Sequence, residues 1–128
     1  MSAIVLIMWR RAIAESLLNK LDTGPVVRLC YEPDYTQANA CVKKNNAKVA
    51  LIEAAETGIH GVPQCLEICA ELRRETENCK LILMCPDQDE EAVAQTVNAV
   101  QEGKIDDFVF YEASFDYLTS KIMTMLQN

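Results

Sequence analysis

The stretch Ala3-Ile4-Val5-Leu6-Ile7 is apolar at every position and lacks the polar alternation of a half-exposed strand. A continuous run of this length favours a strand that is covered on both faces, as the strands of parallel sheets are. Residues 11–21 follow as a helical pattern, whose apolar positions are Ala14, Leu17, Leu18 and Leu21. The chain therefore opens with a strand and a returning helix, the unit from which parallel sheets are built.

The same unit recurs four more times along the chain. Further strands are predicted at residues 26–30, 49–52, 81–84 and 108–111. Gly24-Pro25 separates the first helix from the second strand, since both residues interrupt regular structure. Because each apolar run is followed by a helical pattern, the sequence predicts an α/β domain with helices on both faces of a parallel sheet.

Local signals predict where the later helices begin. Asp34 is a candidate cap for the second helix, and Pro63 suits the first turn of the third. The acids within residues 87–91 crowd the start of the fourth helix, where the helix dipole favours negative charge. The residues expected on the buried faces of these helices and of the last one are Ala38, Cys41 and Val42, then Leu66, Cys69, Ala70 and Leu72, then Phe115, Leu118, Ile122, Met125 and Leu126.

Length and composition predict one domain over residues 1–128, because 128 residues that are 50% hydrophobic suffice for a single core. The same composition excludes intrinsic disorder. A formal net charge of −7 argues against direct binding to nucleic acid or to an anionic membrane surface. Residues 1–86 hold ten acids and ten bases, so the nine acids of residues 87–128, less Lys104 and Lys121, account for the whole surplus of seven.

The cysteines and the amino-terminal run predict a cytoplasmic protein with reduced thiols. Two arginines follow the first apolar run, whereas an export signal carries its basic residues first. The six cysteines include no CxxC pair and have no partner histidines, so we expect them to fill the core, with no metal and no cofactor bound.

Ligand sites of such folds lie beyond the carboxyl ends of the strands. The residues expected there are Met8, Trp9 and Arg10 after the first strand, Glu53 after the third, Cys85 after the fourth, and Tyr111 and Glu112 after the fifth.

The loop Glu53-Ala54-Ala55-Glu56-Thr57-Gly58-Ile59-His60-Gly61 resembles the phosphoacceptor loop of response-regulator receiver domains. In that family an aspartate is followed eight residues later by a glycine, the positions of Glu53 and Gly61 here. Asp106-Asp107-Phe108 is similar to the turn before the family's last strand, with Phe108 at the switch-aromatic position. The resemblance covers essentially the whole chain. It implies a flavodoxin-like, doubly wound (βα)5 fold with strand order 2-1-3-4-5.

The resemblance also implies a degenerate site, of the kind called a pseudo-receiver. Receivers hold Mg²⁺ with two acids after the first strand, phosphorylate an aspartate, and bind the phosphoryl group with a hydroxyl and a lysine. In this sequence Met8 and Trp9 replace the two acids, and Glu53 replaces the phosphoacceptor. Cys85 stands at the hydroxyl position and Tyr111 at the lysine position. We therefore expect no Mg²⁺-dependent aspartyl phosphorylation, and no enzymatic activity.

Several readings of single residues stay open at this point. Glu53 either imitates a phosphorylated aspartate or is a strand-end carboxylate, solvated or paired with Arg10 or Arg11; we favour the pair. Arg10 and Arg11 at a helix start are also candidate contacts for a bound anion. Trp9 is expected to be a lid that fills the vacated metal site, the alternative being a partner anchor. We expect neither His60 nor Cys85 to be catalytic, and Phe108 and Tyr111 to pack in the strand.

The favoured function is a signalling module of two-component type that acts by protein contact. The partner is expected to be a basic protein that binds the acidic face of residues 87–128, because a symmetric dimer on that face would oppose like charges. A homodimer on another face is an alternative partner. The alternative functions are a phosphorylated receiver of a longer DNA-binding regulator and a small anion- or nucleotide-binding domain.

Overall fold

Five strands form one parallel sheet in the computed structural model, which describes residues 2–21, 27–76 and 78–127. The order of the strands is β2-β1-β3-β4-β5, so the predicted doubly wound (βα)5 fold is confirmed. The strands are β1 Ser2–Ile7, β2 Val27–Glu32, β3 Val49–Glu53, β4 Lys80–Cys85 and β5 Asp107–Phe110. The helices are α1 Arg11–Lys20, α2 Ala38–Asn45, α3 Val62–Glu75, α4 Glu90–Gln101 and α5 Phe115–Gln127.

The two faces of the sheet bury two separate apolar layers. Alternate strand residues such as Val5 and Ile52 pack in the layer that includes α2, α3 and α4. Their neighbours, such as Ile4 and Leu51, pack with α1 and α5. Side chains point to opposite faces at each step along a strand, so both sets must be apolar. This explains the continuous apolar run with which β1 opens the chain.

The acids before α4 behave as predicted, whereas the prediction for Asp34 is wrong in detail. Asp89 caps α4, since its carboxylate accepts hydrogen bonds from the backbone N–H groups of Glu91 and Ala92 at 3.0 and 3.3 Å. Asp34 caps a short 3₁₀ turn, Tyr35–Gln37, by accepting from the N–H of Thr36. That turn lies between Asp34 and α2, so the cap acts one element earlier than the sequence indicates.

The buried face of α3 differs from the predicted one. Cys69 and Leu72 are buried as expected, but Val62 and Cys65 complete the buried stripe, while Leu66 and Ala70 are partly exposed. The helix offers apolar residues on more than one face, so periodicity alone leaves its rotation about its axis open.

Several predicted boundaries shift by one or two residues. β2 continues to Glu32, and β5 ends at Phe110, so that Tyr111 lies just beyond the strand. The predicted break at Gly24-Pro25 and the strand start at residue 26 lie outside the described residues. Among the helices that the structure describes, none combines the length and the apolar character needed to cross a membrane.

Candidate functional site

Four side chains from the ends of three strands meet at the carboxyl edge of the sheet. Trp9 and Arg10 lie in the loop after β1, Glu53 ends β3, and Tyr111 follows β5. Parallel strands place their carboxyl ends side by side, which brings together residues up to a hundred positions apart. The sequence predicts this convergence.

The carboxylate of Glu53 is fully buried and its charge is fully compensated. Oε1 accepts hydrogen bonds from the backbone N–H groups of Trp9 and Arg10, at 3.1 and 3.2 Å. Oε2 accepts from Nε of Arg10 in an ion pair. A buried carboxylate is tolerated only with such partners, because its loss of hydration is otherwise very costly. The pair settles the choice between Arg10 and Arg11, and the solvated form of Glu53 is wrong.

The guanidinium of Arg10 is held by aromatic and sulfur contacts as well as by Glu53. Its Cζ lies 4.3 Å from the ring centroid of Tyr111 and 5.7 Å from that of Trp9. Nη2 lies 3.6 Å from Sδ of Met84 on β4. A guanidinium over an aromatic face gains electrostatic attraction from the ring. Arg10 therefore lies between Glu53 and Tyr111.

The start of α1 already holds an anion, and that anion belongs to the chain itself. Arg10 is the residue before α1, and both its N–H and its side chain are bonded to Glu53. The anion that Arg10 contacts is therefore the carboxylate of Glu53. Arg11 is exposed, with its guanidinium 5.7 Å from the ring centroid of Tyr31.

Two tyrosine hydroxyls fix the loop that begins at the end of β3. Tyr35 donates to the backbone carbonyl of Glu53, and Tyr111 donates to that of Ala54. Burial, and then the negative charge of Glu53, raise the pKa of Tyr111 to about 12. Burial also raises the pKa of Tyr35. No sequence pattern marks Tyr35 as a site residue, because its ring reaches the site from the loop after β2.

The loop of residues 54–61 is ordered by its own contacts. The N–H of Ala55 donates to the carbonyl of His60 at 2.6 Å, and the imidazole of His60 stacks on the ring of Tyr35 with centroids 3.9 Å apart. Gly58 has a φ of +89°, a left-handed conformation that favours glycine at this turn. His60 thus has a packing contact, and the loop presents Ile59 to solvent, with 79% of its surface exposed.

An open groove of about 730 Å³ lies over the site, between the loop after β1 and the loop after β3. Its lining includes Trp9, Ile59 and Tyr111. Trp9 is 47% exposed, so it lines the groove and does not fill the space expected of a lid. Arg10 is long enough to reach Glu53 from the same loop, and it takes that central place.

Cys85 and Phe108 have packing roles in the layer that contains α4. The Cys85 thiol is buried 3.4 Å from the Thr96 hydroxyl, and burial raises its pKa, so thiolate formation is disfavoured. Phe108 is partly buried and packs edge-to-face on Phe110. Met8, at a position where the resemblance expects an acid, is fully buried in the opposite layer. Within the described residues, no group of three or more His, Cys, Asp or Glu side chains is placed to hold a metal ion.

Comparison with known proteins identifies the fold. No family model matches the sequence, and no curated protein matches it. The structure resembles a LuxR-family DNA-binding response regulator from Staphylococcus aureus, with a TM-score of 0.75 and 14% identity over 98% of this chain and 99% of that one. The chain has the receiver fold.

Two further structures agree with this conclusion. A response regulator from Thermotoga maritima gives a TM-score of 0.78 with 12% identity, covering 100% of this chain and 99% of its own. A response-regulator receiver domain from Francisella gives 0.76 with 16% identity, covering 99% of this chain and 98% of its own. The similarity in fold thus extends over nearly the whole of this chain and of both structures.

Proposed function

We propose that this receiver-like chain is a two-component signalling module that acts through protein contacts and not through Mg²⁺-dependent phosphorylation of the residue at the end of β3. The observation that carries the proposal is the buried ion pair between Glu53 and Arg10. The carboxylate at the phosphoacceptor position accepts three N–H donors from the loop after β1. Both oxygens of this fully buried carboxylate are already bonded, which disfavours its attack on a phosphoryl donor.

The residues at the site do not fit a magnesium ion. Mg²⁺ demands near-octahedral coordination by oxygen, and in receivers carboxylates after the first strand supply part of it. Here Met8 offers a buried thioether and Trp9 an indole. The Arg10 guanidinium already supplies positive charge to Glu53. We infer that an internal arginine takes the electrostatic role of the metal.

The remaining positions also favour a module without phosphoryl transfer. Tyr111 stands where the resemblance places a lysine, and its hydroxyl is committed to the carbonyl of Ala54. Cys85 is buried beneath the site with Thr96 as its neighbour. Neither group offers a positive charge to phosphoryl oxygens. Two-component signalling through a fixed surface, in the cytoplasm where six thiols stay reduced, is the function that these contacts support.

Treatment with acetyl phosphate or beryllofluoride in the presence of Mg²⁺ tests the proposal directly. We expect intact-mass spectrometry to find no phosphoryl group on Glu53 and nuclear magnetic resonance to find no Mg²⁺-dependent shifts beside Trp9. A receiver with the full set of acids serves as the positive control. Stable phosphorylation of Glu53 would establish the alternative, a functional receiver with an unusual site.

A contact module needs a partner, and charge supports a basic protein. The proposed contact includes the acids of residues 87–128, where the formal surplus of negative charge lies. Such a partner would associate faster at low salt, because attraction between opposite charges steers encounter. Sedimentation of the chain alone across salt concentrations tests the alternative of a homodimer.

A further inference from the structure

Unpaired acids concentrate at the carboxyl edge of the receiver-like sheet. The segments that follow the strands are residues 8–10, 33–37, 54–61, 86–89 and 111–114. Together they hold five exposed or partly exposed acids and, among lysines and arginines, only Arg10, which is neutralised by Glu53. None of these acids forms an ion pair with a lysine or arginine of the described residues. They are Asp34, Glu56, Asp87, Asp89 and Glu112.

The acids elsewhere in residues 87–128 are mostly compensated. Asp106 pairs with Arg73 at 2.8 Å and Asp107 with Lys121 at 2.5 Å. The exposed acids of this region without a cation include Glu90 and Glu91, in the first turn of α4 and next to the same edge. The negative surplus that the sequence assigns to the last third of the chain is therefore concentrated at the carboxyl edge.

Exposed apolar surface lies at the same edge. Four large apolar side chains are exposed among the described residues, and two of them, Trp9 and Ile59, line the groove over the site. Apolar surface that is clustered and rimmed by charge is typical of contact sites. The groove is open to solvent on one side, and a polypeptide can cover both the groove and the acids around it, which a small molecule does not reach.

The groove is also preorganised. The hydroxyl of Tyr111 holds the carbonyl of Ala54, and the stacked rings of Tyr35 and His60 hold the end of the same loop. Arg10 is fixed by Glu53 beneath. Surfaces that are ordered before binding lose less conformational entropy when a partner binds.

We propose that this groove docks a basic polypeptide segment of another protein, which places an apolar side chain beside Trp9 and Ile59 while its lysines or arginines face the acidic edge. Apolar burial supplies affinity, and complementary charge supplies orientation and a fast association rate. This inference deepens the proposed function, since it names the surface and the partner chemistry of a contact module.

Selection from a random peptide library displayed on phage tests the inference with the whole chain as bait. We expect the enriched peptides to combine net positive charge with an aromatic or aliphatic residue. Synthetic copies should change the fluorescence of Trp9, the single tryptophan of the chain, and should bind more weakly as salt rises. Enrichment of acidic peptides, or of none above background, would overturn the proposal.

A pair of variants distinguishes the groove from other exposed apolar surface. Ile59→Asp should weaken the binding of the selected peptides roughly tenfold or more, as the loss of a central apolar contact does. Tyr117→Asp changes a side chain that is also more than half exposed but lies on α5 outside the groove, and should leave binding unchanged. Equal effects of the two variants would contradict the assignment, as would a fluorescence change with inorganic phosphate alone.

The outcome is separable from that of the proposed function. A chain that is phosphorylated on Glu53 yet selects basic peptides at the groove would refute the proposed function and leave the docking site standing. A chain that resists phosphorylation but selects no basic peptide would do the reverse.

Discussion

Two arginine–carboxylate pairs lie at opposite edges of the sheet, and their carboxylates differ in burial. At the carboxyl edge Arg10 pairs with Glu53, whose side chain is fully buried. At the amino edge Arg73 of α3 pairs with Asp106, whose side chain is 22% exposed. The chemistry is the same, but a fully buried charge depends on its partner far more than a partly hydrated one does.

The two carboxylates have different hydrogen-bond partners, so the two pairs have different structural roles. Asp106 also accepts from the N–H of Leu81 at 2.8 Å, and Arg73 donates to the carbonyl of Cys79 at 3.3 Å, so this pair closes the start of β4. The carboxylate of Glu53 accepts only from the loop after β1, the place where the resemblance puts a metal site. One pair closes the start of β4, and the other joins the loop after β1 to the end of β3.

The largest expected effect is that of Arg10→Ala, which leaves the Glu53 charge buried without its cation. Breaking a buried pair from one side costs about 3–5 kcal/mol. Urea denaturation followed by circular dichroism should therefore give a much lower free energy of unfolding, with the slope against urea unchanged.

Arg11→Ala is the matched control, because Arg11 is the next residue and is exposed. An exposed substitution of this kind changes stability by about 0.5 kcal/mol or less. If the two alanine variants had similar stability, the pair with Glu53 would not stabilise the fold, and the comparison of the two edges would fail.

The fold follows from local sequence, whereas the site depends on distant pairing. Continuous apolar runs such as Ala3 to Ile7 fix a two-sided parallel sheet, because few other structures cover a strand on both faces. The sequence does not determine which face of α3 is buried, since apolar residues on more than one face compete for burial. The cap at Asp34 was misplaced because a 3₁₀ turn and an α-helix share the same capping signal.

The sequence is least informative about which acids remain without a cation in the folded chain. The count assigns the surplus to residues 87–128, but Asp106 is neutralised by Arg73 from 33 positions away. Tyr35 contacts the backbone of Glu53 through a hydroxyl on another loop, and no local pattern marks that contact. Such contacts appear only when the sheet brings its edges together.

The second-largest effect is expected at the amino edge, from Arg73→Ala. Asp106 keeps its bond to the N–H of Leu81 and some hydration, so we expect a loss of about 1–2 kcal/mol. Arg74→Ala, on the same helix with an exposed side chain, is the control for helix propensity. A cost at Arg73 equal to that at Arg10 would show that burial does not separate the two pairs.

A smaller effect is expected from Tyr111→Phe, which removes the hydroxyl that holds the carbonyl of Ala54. The ring and its contact with Arg10 remain, so the loss should be about 1 kcal/mol, the contribution of one hydrogen bond. Tyr31→Phe is the control, since the Tyr31 hydroxyl makes no hydrogen bond within the described residues. Equal stabilities of the two phenylalanine variants would mean that the Ala54 bond contributes nothing.

The effect that is smallest at neutral pH is a pH dependence that the same hydroxyl imposes, because it acts only in alkaline solution. In the folded chain the pKa of Tyr111 is raised to about 12, first by burial and then by Glu53, against about 10 for an ordinary tyrosine. The folded state therefore retains a proton that the unfolded state releases between these values. Stability from this group is present below about pH 10 and is lost as pH rises towards about 12.

The Tyr111→Phe variant isolates that contribution. The stability difference between the wild type and the variant should stay constant below about pH 10 and shrink above it. The difference in phenolate absorbance between the wild type and the variant reports Tyr111. It should appear only as the pH approaches about 12. A Tyr111 phenolate that forms near pH 10 would place the ring in water and away from Glu53. Tyr111 would then lie away from the Arg10–Glu53 pair, and the burial that distinguishes this pair from the one at the amino edge would be contradicted.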